Sequence, residues 1–389
     1  MKRVIFFYNQ IFTDRDYDRF GIDIIKKRGF HVEIWNFISY TNLDYSKKYS
    51  CNSMVDIKII INFEEKKQIK IALKSLTDQD VVIDNYLLST MPLFRKILNK
   101  IQFKKGAHLT GLIPTPSQSQ GFKRMINVIN RHSPSQIFYK LLEKIKGKIS
   151  NKKALNFLIV GGEAASDDSR FPIDKNTSII CAHAMDYDLF LNEELTESIN
   201  NNFVDYSVFI DGNIFDASDY ELLDINPHCI SDQYYPKLNS FFDTFEKYSN
   251  TKIIIAENPK ADLKNRRNPF NERKIINGNT CQLVKYSKNV IVETSTAVNF
   301  AVMYKKPVVF IDSEMYSNLF KSMIHAQAKA LNSKPINYDF SDKYFLNIEN
   351  NFSIDENAYN KYFHKYIKQK NTPLKPKWEI FCDFLDEME

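Results

Sequence analysis

The sequence predicts an α/β protein made of two Rossmann-like halves, each a parallel sheet flanked by helices. Three observations carry this. Short apolar, β-branched runs alternate with amphipathic stretches along residues 3–113 and again along 205–312, the pattern of parallel strands joined by helical crossovers. The net charge of +6 divides unevenly, with 26 basic and 13 acidic residues in 1–150 against 27 and 34 in 151–389, so a basic half is joined to an acidic one. Residues 288–311 spell a complete strand–loop–helix–strand unit with short hydroxyls, Glu293-Thr294-Ser295-Thr296, where the helix begins. The expected division is 1–204, then 205–371, then a stiff Thr372-Pro373-Leu374-Lys375-Pro376 linker and a last helix within 372–389 that packs back across the boundary.

In chain order, Arg3–Tyr8 reads as a buried strand and Arg15–Arg28 as one amphipathic helix (Tyr17, Phe20, Ile24, Ile25) stopped by Gly29. His31–Phe37 is the next strand, which starts a parallel sheet. Strands over 55–62, 80–83 and 109–113 alternate with helices over 64–76 and 92–101. Ligands of open α/β sheets bind beyond the carboxyl ends of strands, which places Asp14–Asp16 near a possible site or, equally, makes them a capping cluster. Phe122–Ile149 reads as one or two basic helices, either a solvated face or a face for an anionic surface. Strands follow over 155–160 and 177–182, the second leading into Asp186-Tyr187-Asp188. That Asp-x-Asp triplet is a form used to hold a divalent metal, but three residues match by chance and hard cations want more oxygen ligands, so no bound metal is expected.

The second series opens with Asp205–Asp211, which places Asp211 at the carboxyl end of an apolar strand, a plausible seat for a general base. A helix over 237–248 follows, then a strand over 252–256 leading to Asn258-Pro259-Lys260, a short strand over 274–276 and a helix from Asn279-Thr280. In the 288–311 unit, Thr294 or Ser295 is either an N-cap or part of a phosphate site, since a helix N-terminus offers unpaired N–H groups.

Composition excludes several classes. No apolar run is long enough to span a bilayer, and the N-terminus lacks a signal-peptide core, so a cytoplasmic location is expected, with possible contact to the inner face of the plasma membrane through 92–153. Five scattered cysteines (Cys51, Cys181, Cys229, Cys281, Cys382) form neither a disulfide framework nor a zinc site. The basic residues are not interleaved with a nucleic-acid motif and the acidic half would repel a polyanion, so no nucleic acid is expected.

Four stretches together resemble bacterial GT-B glycosyltransferases of capsule, O-antigen and related surface polysaccharide (including lipopolysaccharide) synthesis. They are VIFFY through FHVEIW, HAMDYDLFL, VFIDGN, and IIIAENPKAD through IVETSTAVNFAVMYKKPVVFI. The resemblance implies two Rossmann-like domains with parallel sheets facing a central cleft, an acceptor domain first and a nucleotide-sugar donor domain second. It is similar to transferases of the sialyl- and Kdo-type, whose cytidine-activated donors meet a His-Pro motif and a Ser-Ser or Ser-Thr motif. Here Asn258-Pro259 stands in the first place and Thr294-Ser295-Thr296 in the second. Asn can hydrogen-bond a base or ribose but cannot carry a proton as imidazole can.

The activity so implied is a metal-independent direct displacement, inverting at the anomeric carbon, from a nucleotide sugar (CMP-linked preferred) to an oligosaccharide or lipid-linked glycan acceptor, with no cofactor beyond the nucleotide-sugar co-substrate. The candidate bases are Asp211, then Asp188, then Asp16. Donor contacts fall to Asn258, Pro259, Lys260, Thr280, Thr294, Ser295 and Thr296, with Lys285 as a further cation. Glu293 beside a phosphate has no place in this scheme. The alternatives are a UDP- or GDP-hexose transferase, a non-hydrolysing nucleotide-sugar epimerase, and a non-catalytic assembly protein of the same fold.

Overall fold

The computed structural model of the chain describes residues 2–48, 57–86, 91–116, 153–166, 171–195, 205–214, 227, 229, 231–259, 261, 267–340 and 352–388. The basic stretch 117–152 and Lys260 lie outside the described residues. The chain forms two compact units, one comprising Met1–Thr110, Gly121–His183 and Asn371–Glu389, the other Gly111–Gln120 and Ala184–Lys370. The boundary read from the sequence at 204/205 thus falls inside the second unit. The reason is local. The Met185–Leu195 helix belongs with the second sheet, where Phe190 packs on Tyr304 at 5.1 Å between ring centroids and the Asn299 side-chain amide donates to Asp186 at 3.1 Å.

The first unit is built on strands β1 (Arg3–Tyr8), β2 (His31–Asn36), β3 (Ile60–Asn62), β4 (Val81–Asp84), β5 (Lys104–Leu109), β6 (Phe157–Val160) and β7 (Ser178–Cys181). Among the described residues they form one sheet in the order β3-β2-β1-β4-β5-β6-β7, every pair parallel. The expected strand at 109–113 is displaced to Lys104–Leu109. Lys105, Gly106 and His108 interrupt its hydrophobic pattern, yet the strand pairs with β4 through Lys104–Gly106 and with β6 through Gly106–Leu109. Gly106 is required there, because a Cβ would stand 2.1 Å from the Phe157 ring on β6.

The helix expected over 15–28 is two helices, Asp14–Arg19 and Ile22–Lys27. Gly21 separates them with φ +56°, a left-handed conformation that glycine adopts without cost. What needs the break is Trp378 of the last helix, Lys377–Glu387. A Cβ on Gly21 would lie 2.3 Å from the Trp378 ring. The indole N–H donates to the Arg19 carbonyl at 2.6 Å, and the ring meets Phe6 edge-on at 5.3 Å between centroids. Arg28 pairs with Asp383 and Asp386, and Lys375 with Asp383. The last helix is therefore part of the first unit's core.

The second unit holds β8 (Tyr206–Ile210), β9 (Lys252–Glu257), β10 (Ile275–Asn277), β11 (Val290–Val292), β12 (Val308–Asp312) and β13 (Ile336–Asn337). Among the described residues their order is β10-β9-β8-β11-β12-β13, again parallel throughout. The central strands β8, β9, β11 and β12 are buried on both faces, which is why they read as continuous apolar runs. The Tyr234–Ser249 helix covers one face with Leu238, Phe241, Phe242 and Phe245, and Asn250 ends it at φ +50°. Among the described residues no helix is long and apolar enough to cross a membrane.

Trp378 carries the docking of the last helix, so Trp378→Ala should cost the first unit about 3–5 kcal/mol. Urea denaturation followed by circular dichroism would measure it, and limited proteolysis should then release the C-terminal segment. An unchanged midpoint would show that the helix is dispensable to the core.

Candidate functional site

An open parallel sheet binds ligands where its strand order reverses, because adjacent crossovers there leave on opposite faces and open a crevice at the strands' carboxyl ends. In the second unit that point lies between β8 and β11. The register then decides which side chains meet. Ile210 of β8 pairs with Val292 of β11 and with Ala256 of β9, so the next residues along, Asp211, Glu293 and Glu257, stand in one row across three strands. Asn277 of β10 extends the row, in register with Glu257 and donating to it at 2.8 Å. Parallel neighbours in register point to the same face of the sheet. Three carboxyl groups are thus brought side by side, and all three are buried.

Each member has its own supports. Asp211 accepts the Asn213 backbone N–H at 2.9 Å, and the Asn258 N–H also reaches it. The Asn258 side-chain amide donates to the Gly212 carbonyl at 3.3 Å, which ties the loop after β9 to the loop after β8. Burial pushes the Asp211 carboxyl up to about 6, the two N–H donors oppose the shift, and the nearby Glu257 adds to it.

Glu293 is 1% exposed. Its Oε1 accepts two hydroxyls, from Tyr234 at 2.8 Å and Tyr316 at 3.0 Å, and Tyr316 in turn shares a hydrogen bond with Tyr338. Its Oε2 is buried without a hydrogen-bond partner and faces Gly212, where a Cβ would stand 3.7 Å away. Burial pushes this carboxyl up to about 7; the Tyr234 hydroxyl pulls it down, the Asp211 charge raises it further, and the Tyr316 hydroxyl pulls it down again.

The hydroxyls that follow Glu293 turn to a different partner. Thr294 Oγ1 and the Ser295 N–H both donate to Gln327 Oε1, at 2.9 and 3.1 Å. Gln327 Nε2 donates back to the Ser295 carbonyl at 2.8 Å. Ser295 Oγ accepts the Ala297 N–H at 3.1 Å. The helix these residues precede, Val298–Met303, has six residues. Thr294 and Ser295 therefore shape the turn, and Thr296 stands half-buried beside them.

Of the other candidates, Asn258 follows Glu257 and meets Asp211 and Gly212 through its N–H groups, and Pro259 is exposed next to it. Asp16 belongs to the first unit, where its carboxylate accepts the Thr13 N–H and hydroxyl at 3.0 and 2.7 Å in a capping box. Asp188 lies half-buried in the first turn of the Met185–Leu195 helix, so the Asp186–Asp188 stretch is helical, with Asp186 bonded to Asn299. Thr280 opens the Thr280–Tyr286 helix after β10, at the far edge of the sheet. Lys285 pairs with Glu194 at 3.1 Å. Among the described residues no three His, Cys, Asp or Glu side chains are placed so that they could hold a metal ion together.

Glu257, Tyr234, Tyr316 and Tyr338 were not anticipated. For Glu257 a signal was present. IIIAE, VFID and VIVE each end an apolar run on an acid, and neighbouring parallel strands bring such ends together. The tyrosines carried none, because they come from three separate segments.

No family model and no characterised protein sequence matches the chain. Its fold, however, is similar to several solved structures. CalG4, the calicheamicin glycosyltransferase, superposes with a TM-score of 0.50 at 8% identity, over 93% of this chain and 92% of that one. Staphylococcus aureus MnaA, solved with UDP, gives 0.51 at 8% identity over 100% and 97%. A UGT transferase from Siraitia grosvenorii in complex with UDP gives 0.50 at 9% identity over the whole of both chains. The two parallel α/β units are those of the GT-B fold.

The raised carboxyl makes a stability prediction with a definite sign. A carboxyl held above its ordinary range binds more protons in the folded than in the unfolded chain, so stability falls as pH rises from the unfolded value near 4.5 through the folded value, and is flat above it. Glu293→Gln removes that loss. Relative to the parent it should gain on the order of 2 kcal/mol between pH 5 and pH 8. Urea midpoints at the two pH values measure the difference, and an equal effect at both would contradict the assignment.

Proposed function

We propose that the protein is a glycosyltransferase that takes a sugar from a nucleotide-activated donor, with the donor seated at the β8/β11 crevice of the second unit. The observation that carries the reading is the convergence of Asp211, Gly212 and Asn258 at the switch point of a GT-B sheet. Gly212 lets a ligand approach the backbone closely. Asn258, in the place where the resemblance implies a His-Pro motif, offers an amide to a base or ribose, and Pro259 borders it. Thr296 is the hydroxyl available to the leaving phosphate, with Thr294 and Ser295 holding the turn. Lys260, which lies outside the described residues, and Thr280, at the far edge of the sheet, remain candidate donor contacts.

In the transfer step the acceptor hydroxyl attacks the anomeric carbon. The new C–O bond forms as the bond from that carbon to the phosphate oxygen breaks, and the hydroxyl proton passes to Asp211. A carboxylate whose proton affinity lies close to neutrality suits that role better than an ordinary surface aspartate. Direct displacement inverts the anomeric centre. The acceptor is taken to be a surface glycan or its lipid-linked precursor, met by the basic half of the chain at the inner face of the membrane, with Asp188 and Asp16 as the alternative bases.

Two of the similar structures hold UDP, so UDP stands beside the CMP that the resemblance implies, and GDP completes the panel. At least one of the three nucleotides should raise the melting temperature through binding linkage. Asp211→Asn should retain that response while lowering turnover of the matching nucleotide sugar at least 100-fold, as loss of a general base does. If none of the three nucleotides shifts the melting temperature or binds by calorimetry, the donor site is misassigned.

A further inference from the structure

A buried acid beside a phosphate site makes no sense as a permanent charge, and the geometry around Glu293 removes the difficulty. Among the described residues no ion pair joins Asp211 or Glu293 to a cation. The groups facing Glu293 come from every side: Tyr234 from the helix that covers the sheet, Tyr316 from the segment after β12 with Tyr338 behind it, and Asp211 from β8. Cys229 also lies within its electrostatic reach. All of these are neutral or negative at neutral pH. Two like charges enclosed side by side without a cation cannot both persist, so the pair retains a proton.

We propose that Glu293 is a positioning residue that keeps this proton and thereby leaves Asp211 as the ionised member of the pair. The assignment rests on the reading of Asp211 as the proton acceptor. Within Glu293 the proton sits on Oε2. Oε1 already accepts two tyrosine hydroxyls and behaves as the carbonyl oxygen, whereas Oε2 has no partner and faces the Gly212 turn. Within the pair the charge sits on Asp211, because two backbone N–H groups stabilise its carboxylate and it is the less enclosed of the two. Glu293 thus adds no charge next to the departing phosphate, and the neighbouring charge that raises the proton affinity of Asp211 is that of Glu257 on β9. The tyrosines fix its orientation, so the coupling acts at constant geometry.

The test needs neither sugar nor acceptor. Carboxyl carbons of Asp and Glu, labelled with carbon-13 in the full-length protein, are followed by NMR from pH 4 to pH 9. The parent should show Asp211 and Glu293 titrating in two coupled steps, Asp211 first. Glu293→Gln, which preserves the neutral form's shape, should leave the Asp211 midpoint close to the parent's, because Glu293 is still protonated when Asp211 ionises. Asp211→Asn should lower the Glu293 midpoint by about one pH unit, because it removes the charge beside it. A Glu293 midpoint that does not move in Asp211→Asn, an Asp211 midpoint displaced in Glu293→Gln, or Glu293 ionising before Asp211 overturns the proposal. Calorimetry with UDP, CMP and GDP on the same samples separates the two readings. Coupled titrations without nucleotide binding would defeat the donor site alone, and nucleotide binding with uncoupled titrations would defeat the role given to Glu293.

Discussion

The in-register parallel pairing of β9, β8 and β11 is the constraint on which the candidate site depends. Parallel strands place equivalent residues side by side, so three separate apolar runs that each end in an acid must end in a row. Nothing in the local sequence of Asp211 requires a second carboxylate nearby. The register supplies it, and the sheet's burial on both faces then denies the row the water that would screen it. The raised proton affinity of Asp211 and Glu293 follows from these two facts.

Around that row several buried polar groups find partners in distant segments. Gln327, wholly buried on the Asn318–Ala330 helix, ties both Thr294 and the Ser295 backbone, and its amide also reaches the Tyr362 hydroxyl at 3.2 Å. A side-chain amide has donors and an acceptor on one rigid plane, so a single residue serves as a template for the turn after β11. Asp312, at the end of β12, is held by His325 at 2.9 Å, and the Ser313 hydroxyl donates to Asp339 at 2.7 Å. The turns after β11 and β12 are thus held by side chains from distant segments, which suits the fixed geometry that a site at this edge requires.

The strands were legible because burial on both faces leaves uninterrupted apolar runs, and Arg3–Tyr8, Phe157–Val160, Tyr206–Ile210 and Lys252–Glu257 stand within a residue or two of where those runs lie. Where polar residues enter a strand, as Lys105 and His108 do in β5, the pattern fails although the strand persists, since neighbouring strands satisfy its backbone. The helix over 15–28 was misread as continuous for a similar reason. Its apolar period runs through Gly21, and the interruption answers to a tryptophan more than 350 residues away. In the site, Asp211 and Asn258 could be named because each directly follows an apolar strand. Glu293 could be named but not explained, because its explanation lies in Tyr234, Tyr316 and Asp211.

By itself the sequence determined the α/β class, the two sheets, most strand positions and the acids at strand ends, all of which follow from local periodicity and residue chemistry. The tertiary structure alone decided that the first helix breaks at Gly21 to admit Trp378, that Thr294 and Ser295 face Gln327, and that Glu257, Asp211 and Glu293 share one edge. The physical reason is the same in each case. Chain direction, burial and register turn residues far apart in sequence into electrostatic and steric neighbours, and a carboxyl group's character depends on its neighbours far more than on the residues that flank it in the chain.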